Sequence, residues 1–254
     1  MNALSIPRHS MLQCYWLEAR CEFLRLLRAP SFAIPTLVFP PMFYLLFGLL
    51  LARPGGDGRI ASYLLATYGV FGVMAPGLFG FGVAMALDRD RGFLALKRAL
   101  PMPPAAMLVA KLAMAMLFAA IIACVLTLIA VCLAHVPLTL SQLAGLMAVD
   151  VLGVVPFCAI GLFVGTVVSG HAAPGVINLM YLPMAFLAGL WMPMSMLPHV
   201  LQTLAPVWPV WHLAQIALSV AGAEHDGAIA THILALAAVA LVFSTMALRR
   251  LARA

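Results

Sequence analysis

Five of the chain's fourteen basic residues, Arg89, Arg91, Lys97, Arg98 and Lys111, lie between Asp88 and Lys111. That stretch opens Asp88-Arg89-Asp90-Arg91-Gly92 and continues into a short amphipathic segment that ends at Pro101. Alternating acids and arginines ahead of a glycine suit charge-assisted hydrogen bonds to a partner's surface. They equally suit a solvated loop that only anchors the ends of two apolar runs by its charge. Spacing alone leaves both readings open.

Other polar residues stand out because their surroundings are apolar. Asp150 and Asn178 lie inside long hydrophobic runs, where an acid is costly and is a candidate for a polar pathway by default. Asp150 sits close enough to the end of its run for a plain solvated reading as well. Pro206, Trp208, Pro209 and Trp211 punctuate an apolar stretch and are candidates for a gate. His199, His212, His225 and His232, with Glu224 and Asp226, lack convincing metal-ligand spacing and read as interfacial side chains. Ser169-Gly170-His171 puts serine and histidine on one turn, without the separately oriented base that hydrolysis needs. Neither a phosphate-binding Gly-x-x-x-x-Gly-Lys-Ser/Thr loop, a zinc helix nor a nucleophile elbow occurs. No catalytic, cofactor-binding or metal constellation is therefore read, and any ATP would be held by another chain.

The elements that must carry these residues follow from composition. The chain has 254 residues, 65% hydrophobic and only 9% charged, against about 25% charged in soluble domains. It cannot present a wet surface all round and is expected to be an all-α, polytopic membrane protein. The net charge of +6 does not point to nucleic acid, because the basic residues sit at the edges of apolar runs. The cysteines, Cys14, Cys21, Cys124, Cys132 and Cys158, avoid the expected outer loops and form no disulfide framework. No cleavable leader is read: the first apolar run is too long for one.

In order, residues 1–30 form a cytoplasmic tail and an amphipathic helix over 10–29. Leu12, Tyr15, Trp16, Ala19, Phe23, Leu26 and Leu27 share one face, toward lipid. Gln13, Glu18, Arg20, Glu22, Arg25 and Arg28 share the other, toward headgroups. Residues 31–254 form a six-helix transmembrane domain with spans at about 31–52, 63–87, 107–133, 143–168, 175–191 and 228–248. A cytoplasmic loop covers 88–106 and an external segment covers 192–227. Pro35, Pro40 and Pro41 place the first span inside the bundle. Gly69, Gly72, Gly77, Gly80 and Gly82 let the second approach its neighbours closely. Twelve basic residues fall on one side of these spans, with Arg53 and Arg59 opposite, so both termini are expected in the cytoplasm. Val207–Val220 covers only about 21 Å, too short to cross, and is expected to dip in and return as a re-entrant segment.

Asp88, Arg89, Asp90, Gly92, Leu94, Leu100, Pro101 and Lys111 resemble the cytoplasmic loop between the second and third spans of ABC-2 type exporter permeases. Asp replaces the usual Glu, and Phe93 the usual Thr. Pro183, Phe186-Leu187-Ala188-Gly189, Met192-Pro193, Leu197-Pro198, Leu204 and Pro206 extend the resemblance through the fifth span and beyond. The resemblance implies the permease subunit of an ATP-driven exporter in a bacterial inner membrane. It implies a permease dimer, homo- or hetero-, and cytoplasmic ABC ATPase subunits that hold ATP and Mg. Asp88, Arg89, Asp90, Arg91, Gly92, Leu94 and Pro101 would couple the ATPase to the spans, and the first, second and fifth spans would line the route. The substrate would be amphiphilic, lipid-like or a drug. The rival expectations are a non-transporting membrane scaffold or sensor, and an intramembrane enzyme.

Overall fold

The computed structural model describes residues 11–49, 59–99, 103 and 105–253. Every regular element among them is helical. Helix α1 (Met11–Leu27) is followed at once by α2 (Pro30–Phe43). Pro30 occupies the first turn of α2, where its missing N–H would have had no helical partner anyway. Pro35, Pro40 and Pro41 then withdraw donors from the ladder, and beyond them α2 widens into π turns over Tyr44–Leu49.

Helix α3 (Arg59–Ala75) passes through π turns at Pro76–Val83 into α4 (Ala84–Asp90). Together they make a continuous apolar helix of 31 residues, Ile60–Asp90, the most deeply buried element of the bundle. Its glycines explain why. A Cβ at Gly82 would lie 2.8 Å from the carbonyl oxygen of Gly161, and one at Gly165 would lie 2.7 Å from that of Gly82. Backbone meets backbone there, as small residues permit in membrane helices.

A short helix α5 (Phe93–Ala99) precedes α6 (Ala106–Cys132) and α7 (Leu140–Val167). Thr139 and Gln142 close a reciprocal capping box at the start of α7. Then come α8 (Ala173–Leu187), α9 (His199–Leu204), α10 (Pro209–Ala221) and α11 (Ile229–Arg253). Helices α1 and α2 pack on α6, where Phe23 of α1 and Phe32 of α2 meet the Phe118 ring with centroids 5.2 and 5.4 Å apart. Helix α11 packs along α7 and leaves an apolar flank, including Leu234 and Leu241, facing outward. Such a surface fits lipid rather than water.

Among the described residues, five helices are long and apolar enough to cross a membrane: Pro30–Gly48, Ile60–Asp90, Ala106–Cys132, Leu140–Val167 and Ile229–Arg253. The count reaches six if the pair His199–Val207 and Pro209–Ala221, bent by 96°, is one broken span. The helices depart from the expected span bounds: α7 begins at Leu140 rather than 143, and α11 runs on to Arg253 rather than ending at 248. Arg59–Ser62, expected as loop, is already helical. The run expected to span 175–191 is helical only over Ala173–Leu187, 15 residues, or about 22 Å. Gly189 takes φ +74, a left-handed conformation that ends helices and favours glycine.

Candidate functional site: an ionic cluster beneath an exposed turn

Lys111 lies in the second turn of α6 with none of its side chain exposed, so its ammonium needs anionic partners. Two are supplied. Asp88, in the last turns of α4, accepts from Lys111 Nζ at 2.7 Å through Oδ2, and Glu22, on α1, accepts at 3.2 Å through Oε2. Arg25 closes the ring, one guanidinium nitrogen 2.9 Å from Asp88 Oδ1 and the other 2.7 Å from Glu22 Oε2. Lys97 on α5 continues it, bonding Glu18 and standing 3.4 Å from the second oxygen of Glu22. Three acids face three bases, drawn from α1, α4, α5 and α6. Burial works against the charge of Lys97, but the carboxylates of Glu18 and Glu22 outweigh it and hold the ammonium above its ordinary value.

The neighbouring residues of the acid-Arg-acid sequence hold another part of the chain. Arg89 donates to the carbonyl oxygens of Gly165 at 3.0 Å and Val168 at 2.9 Å, capping the end of α7. Asp90 accepts from the Gly170 N–H at 2.6 Å, in the turn before α8, and also pairs with Arg89. One turn of helix α4 therefore ties α1 and α6 on one side to the α7–α8 turn on the other.

Beyond Asp90 the chain turns outward. Arg91 and Gly92 are exposed, and Gly92 takes φ +75 with open space where a Cβ would stand. Phe93 and Leu96 are exposed apolar side chains on α5, whereas Leu94 packs against the core. The seven sequence candidates thus divide. Asp88 is buried and pairs with Lys111 and Arg25. Arg89, Asp90 and Leu94 hold the bundle, Arg91 and Gly92 face out, and Pro101 lies outside the described residues. Lys111, at the start of the expected third span, is inside the bundle.

Glu18, Glu22 and Arg25 were missed. An amphipathic wheel assigns acids to the wet face, yet Glu22 is 3% exposed. The available signal was Lys111 itself: a lysine inside an apolar helix demands a partner.

At the other end of the long helix, a cavity of about 1470 Å³ opens between α2, α3, the segment after α8 and α10. Phe43, Tyr68 and Trp191 line its aromatic side, and Gln215, Glu224 and Asp226 its polar side. The Tyr68 hydroxyl and Trp191 Nε1 are buried without a hydrogen-bond partner among the described residues. Tyr63 donates to the carbonyl of Gly189 at 2.9 Å, fixing the break after α8 against α3.

The gate and pathway candidates scatter around this region. Pro206 lies in the short 3₁₀ turn between α9 and α10, and Trp208 and Pro209 form the bend into α10. Trp211 packs on both His212 and His232. Asp150 is not solvated: it is 5% exposed, in the N-terminal half of α7, pressed against Gly69, with Oδ1 unpartnered among the described residues. Asn178 lies on an exposed part of α8 and does not join Asp150. No group of three or more potential metal ligands occurs among the described residues.

Comparison with known proteins adds two findings. Residues 13–221 match the family described as ABC-2 type transporter. The chain is also 27% identical over 199 residues to a Bacillus subtilis (strain 168) protein named "Putative transport permease YvfS", a match that covers 77% of this chain and 80% of the relative.

Proposed function

The chain belongs to the ABC-2 type transporter family, and on that footing we propose that it is the membrane subunit of an ATP-driven exporter. Its partners in this reading are a second permease and cytoplasmic ABC ATPase subunits that bind ATP and Mg. The observation that carries the reading is the exposed α4–α5 turn. Arg91, Gly92, Phe93 and Leu96 offer a charged and apolar surface to a partner, and the buried ions behind them make that surface part of a rigid unit with α1, α6 and the end of α7. A push on the turn moves those helices together.

Both termini lie in the cytoplasm of a bacterial inner membrane. Helix α1 rests at the inner headgroups, with Trp16 and Leu12 exposed for lipid. Helix α8 crosses with the help of the turn that follows it, and α9 and α10 dip in and return. The cargo is an amphiphile: the outer cavity pairs aromatic walls and unused donors with an acidic, amide-bearing rim. It leaves from the cytoplasm or inner leaflet through this cavity.

Co-expression with the partner ATPase, purification and reconstitution into nanodiscs test the reading. The complex should hydrolyse ATP faster with substrate, and Arg91→Glu should abolish that stimulation without reducing membrane insertion. Failure to bind any ATPase subunit would overturn it.

A further inference from the structure

His212 lies in the first turn of α10 and His232 in the first turn of α11, and their rings meet Nδ1 to Nδ1 at 2.9 Å. Each Nε2 is already engaged. That of His212 is 3.0 Å from the Pro206 carbonyl oxygen, and that of His232 is 2.6 Å from the Asp226 carbonyl oxygen. A carbonyl only accepts, so both Nε2 atoms carry hydrogen. Two neutral rings would then point bare Nδ1 lone pairs at each other across hydrogen-bond distance. Adding one proton converts this repulsion into an Nδ1–H···Nδ1 hydrogen bond. A metal does not fit between them: zinc–nitrogen bonds of about 2.0–2.1 Å hold tetrahedral ligand atoms about 3.3 Å or more apart.

We propose that His212 and His232 form one proton-binding site that takes up a single shared proton and thereby clasps α10 to the start of α11. The surroundings suit a clasp. His232 is 3% exposed, and the Trp211 ring stands edge to face with both imidazoles, at 5.1 and 5.3 Å between centroids. Gln215, also buried, accepts from the Asp226 N–H at 2.9 Å and tethers the loop whose carbonyl holds His232. Gly222 and Gly227, with φ +76 and +75, bound that loop.

The other titratable groups on the packed elements are few. The connecting loop carries Glu224, His225 and Asp226, all exposed, and α9 carries His199, also exposed. Helix α3 begins with Arg59 and brings Tyr63 and Tyr68, while α7 brings Asp150, held at Gly69. The arginines of α11, Arg249, Arg250 and Arg253, are at its far end. A second proton would set two imidazolium charges in contact, so the pair titrates as a unit that accepts one. The clasp is complete when the pair is protonated. It is lost as pH rises and the proton leaves, because one ring must then turn away or surrender its carbonyl.

The test uses the full chain in nanodiscs with ¹⁵N-histidine, the other five histidines replaced by Gln. On acidification from about pH 8 to pH 5, the range in which histidines titrate, both rings should follow one transition. A two-bond ¹⁵N–¹⁵N coupling should report the shared proton, and His232→Gln should remove the coupling and shift the His212 transition. Two independent transitions without coupling, or a His212 transition indifferent to His232→Gln, would overturn the site. The clasp has its own readout in a background lacking the native cysteines. Thiol labelling of Val210→Cys, relative to the exposed Leu204→Cys control, should be severalfold slower below the transition than above it, and His212→Gln should erase that difference. A ratio constant with pH in the unmutated pair would remove the clasp.

Discussion

Lys111 and Asp88 come from different helices and touch inside the bundle, Nζ to Oδ2 at 2.7 Å, with side chains 0% and 5% exposed. Neither can lose the other cheaply. Breaking a buried ion pair by removing one partner costs about 3–5 kcal/mol, because the survivor is left charged and unpaired. Lys111→Met should therefore lower the thermal midpoint of the purified chain sharply. Asp88→Asn together with Lys111→Met should recover part of the loss, since fewer uncompensated acids remain. A Lys111→Met protein as stable as the parent would mean that these charges are not buried together.

The long central helix makes a separate prediction about packing. A Cβ at Gly161 would lie 2.5 Å from the Gly77 carbonyl oxygen, whereas one at Gly175 meets nothing within 4 Å. Overpacking of this kind costs about 1–3 kcal/mol. Gly161→Ala should destabilise the bundle in a chemical-denaturation series, and Gly175→Ala should leave it unchanged. Equal effects at the two positions would contradict the close approach of α7 to the central helix.

Asp150 offers a test of a buried polar group. Its Oδ1 lacks a partner among the described residues, and burying such a group costs free energy. Asp150→Asn should hold or raise the thermal midpoint while reducing transport by the reconstituted complex. Full transport by Asp150→Asn would leave the residue outside the polar pathway.

Charge and periodicity made much of this architecture legible in advance. Arginines at the span ends and apolar runs of helical length identify the long helices without help from tertiary contacts. The inward turn of Glu22 was not legible, because its partner Lys111 is distant in sequence and a wheel treats every acid as wet. The early end of α8 depends on the backbone of Gly189, which composition cannot reveal. His212 and His232 looked like interfacial residues for the same reason: their meeting is made by the fold of α10 on α11, not by their spacing.

Orientation is tested by reporter fusions. Those after Ala254 and within Arg89–Arg98 should report cytoplasm, and those near Asp57 and Glu224 should report the outside. An external C-terminus would contradict the proposed topology, because twelve basic residues would then face the wrong side.

The most direct measurement is cross-linking at the exposed turn. Leu96, 58% exposed on α5, is replaced by the sole cysteine of the chain, derivatised with a photo-cross-linker and assembled with the ATPase subunit in nanodiscs. The account predicts an adduct between α5 and the ATPase, with a yield that changes between the nucleotide-free and ATP-trapped complexes. A complex that holds together and hydrolyses ATP, yet forms no such adduct in any nucleotide state, would contradict it.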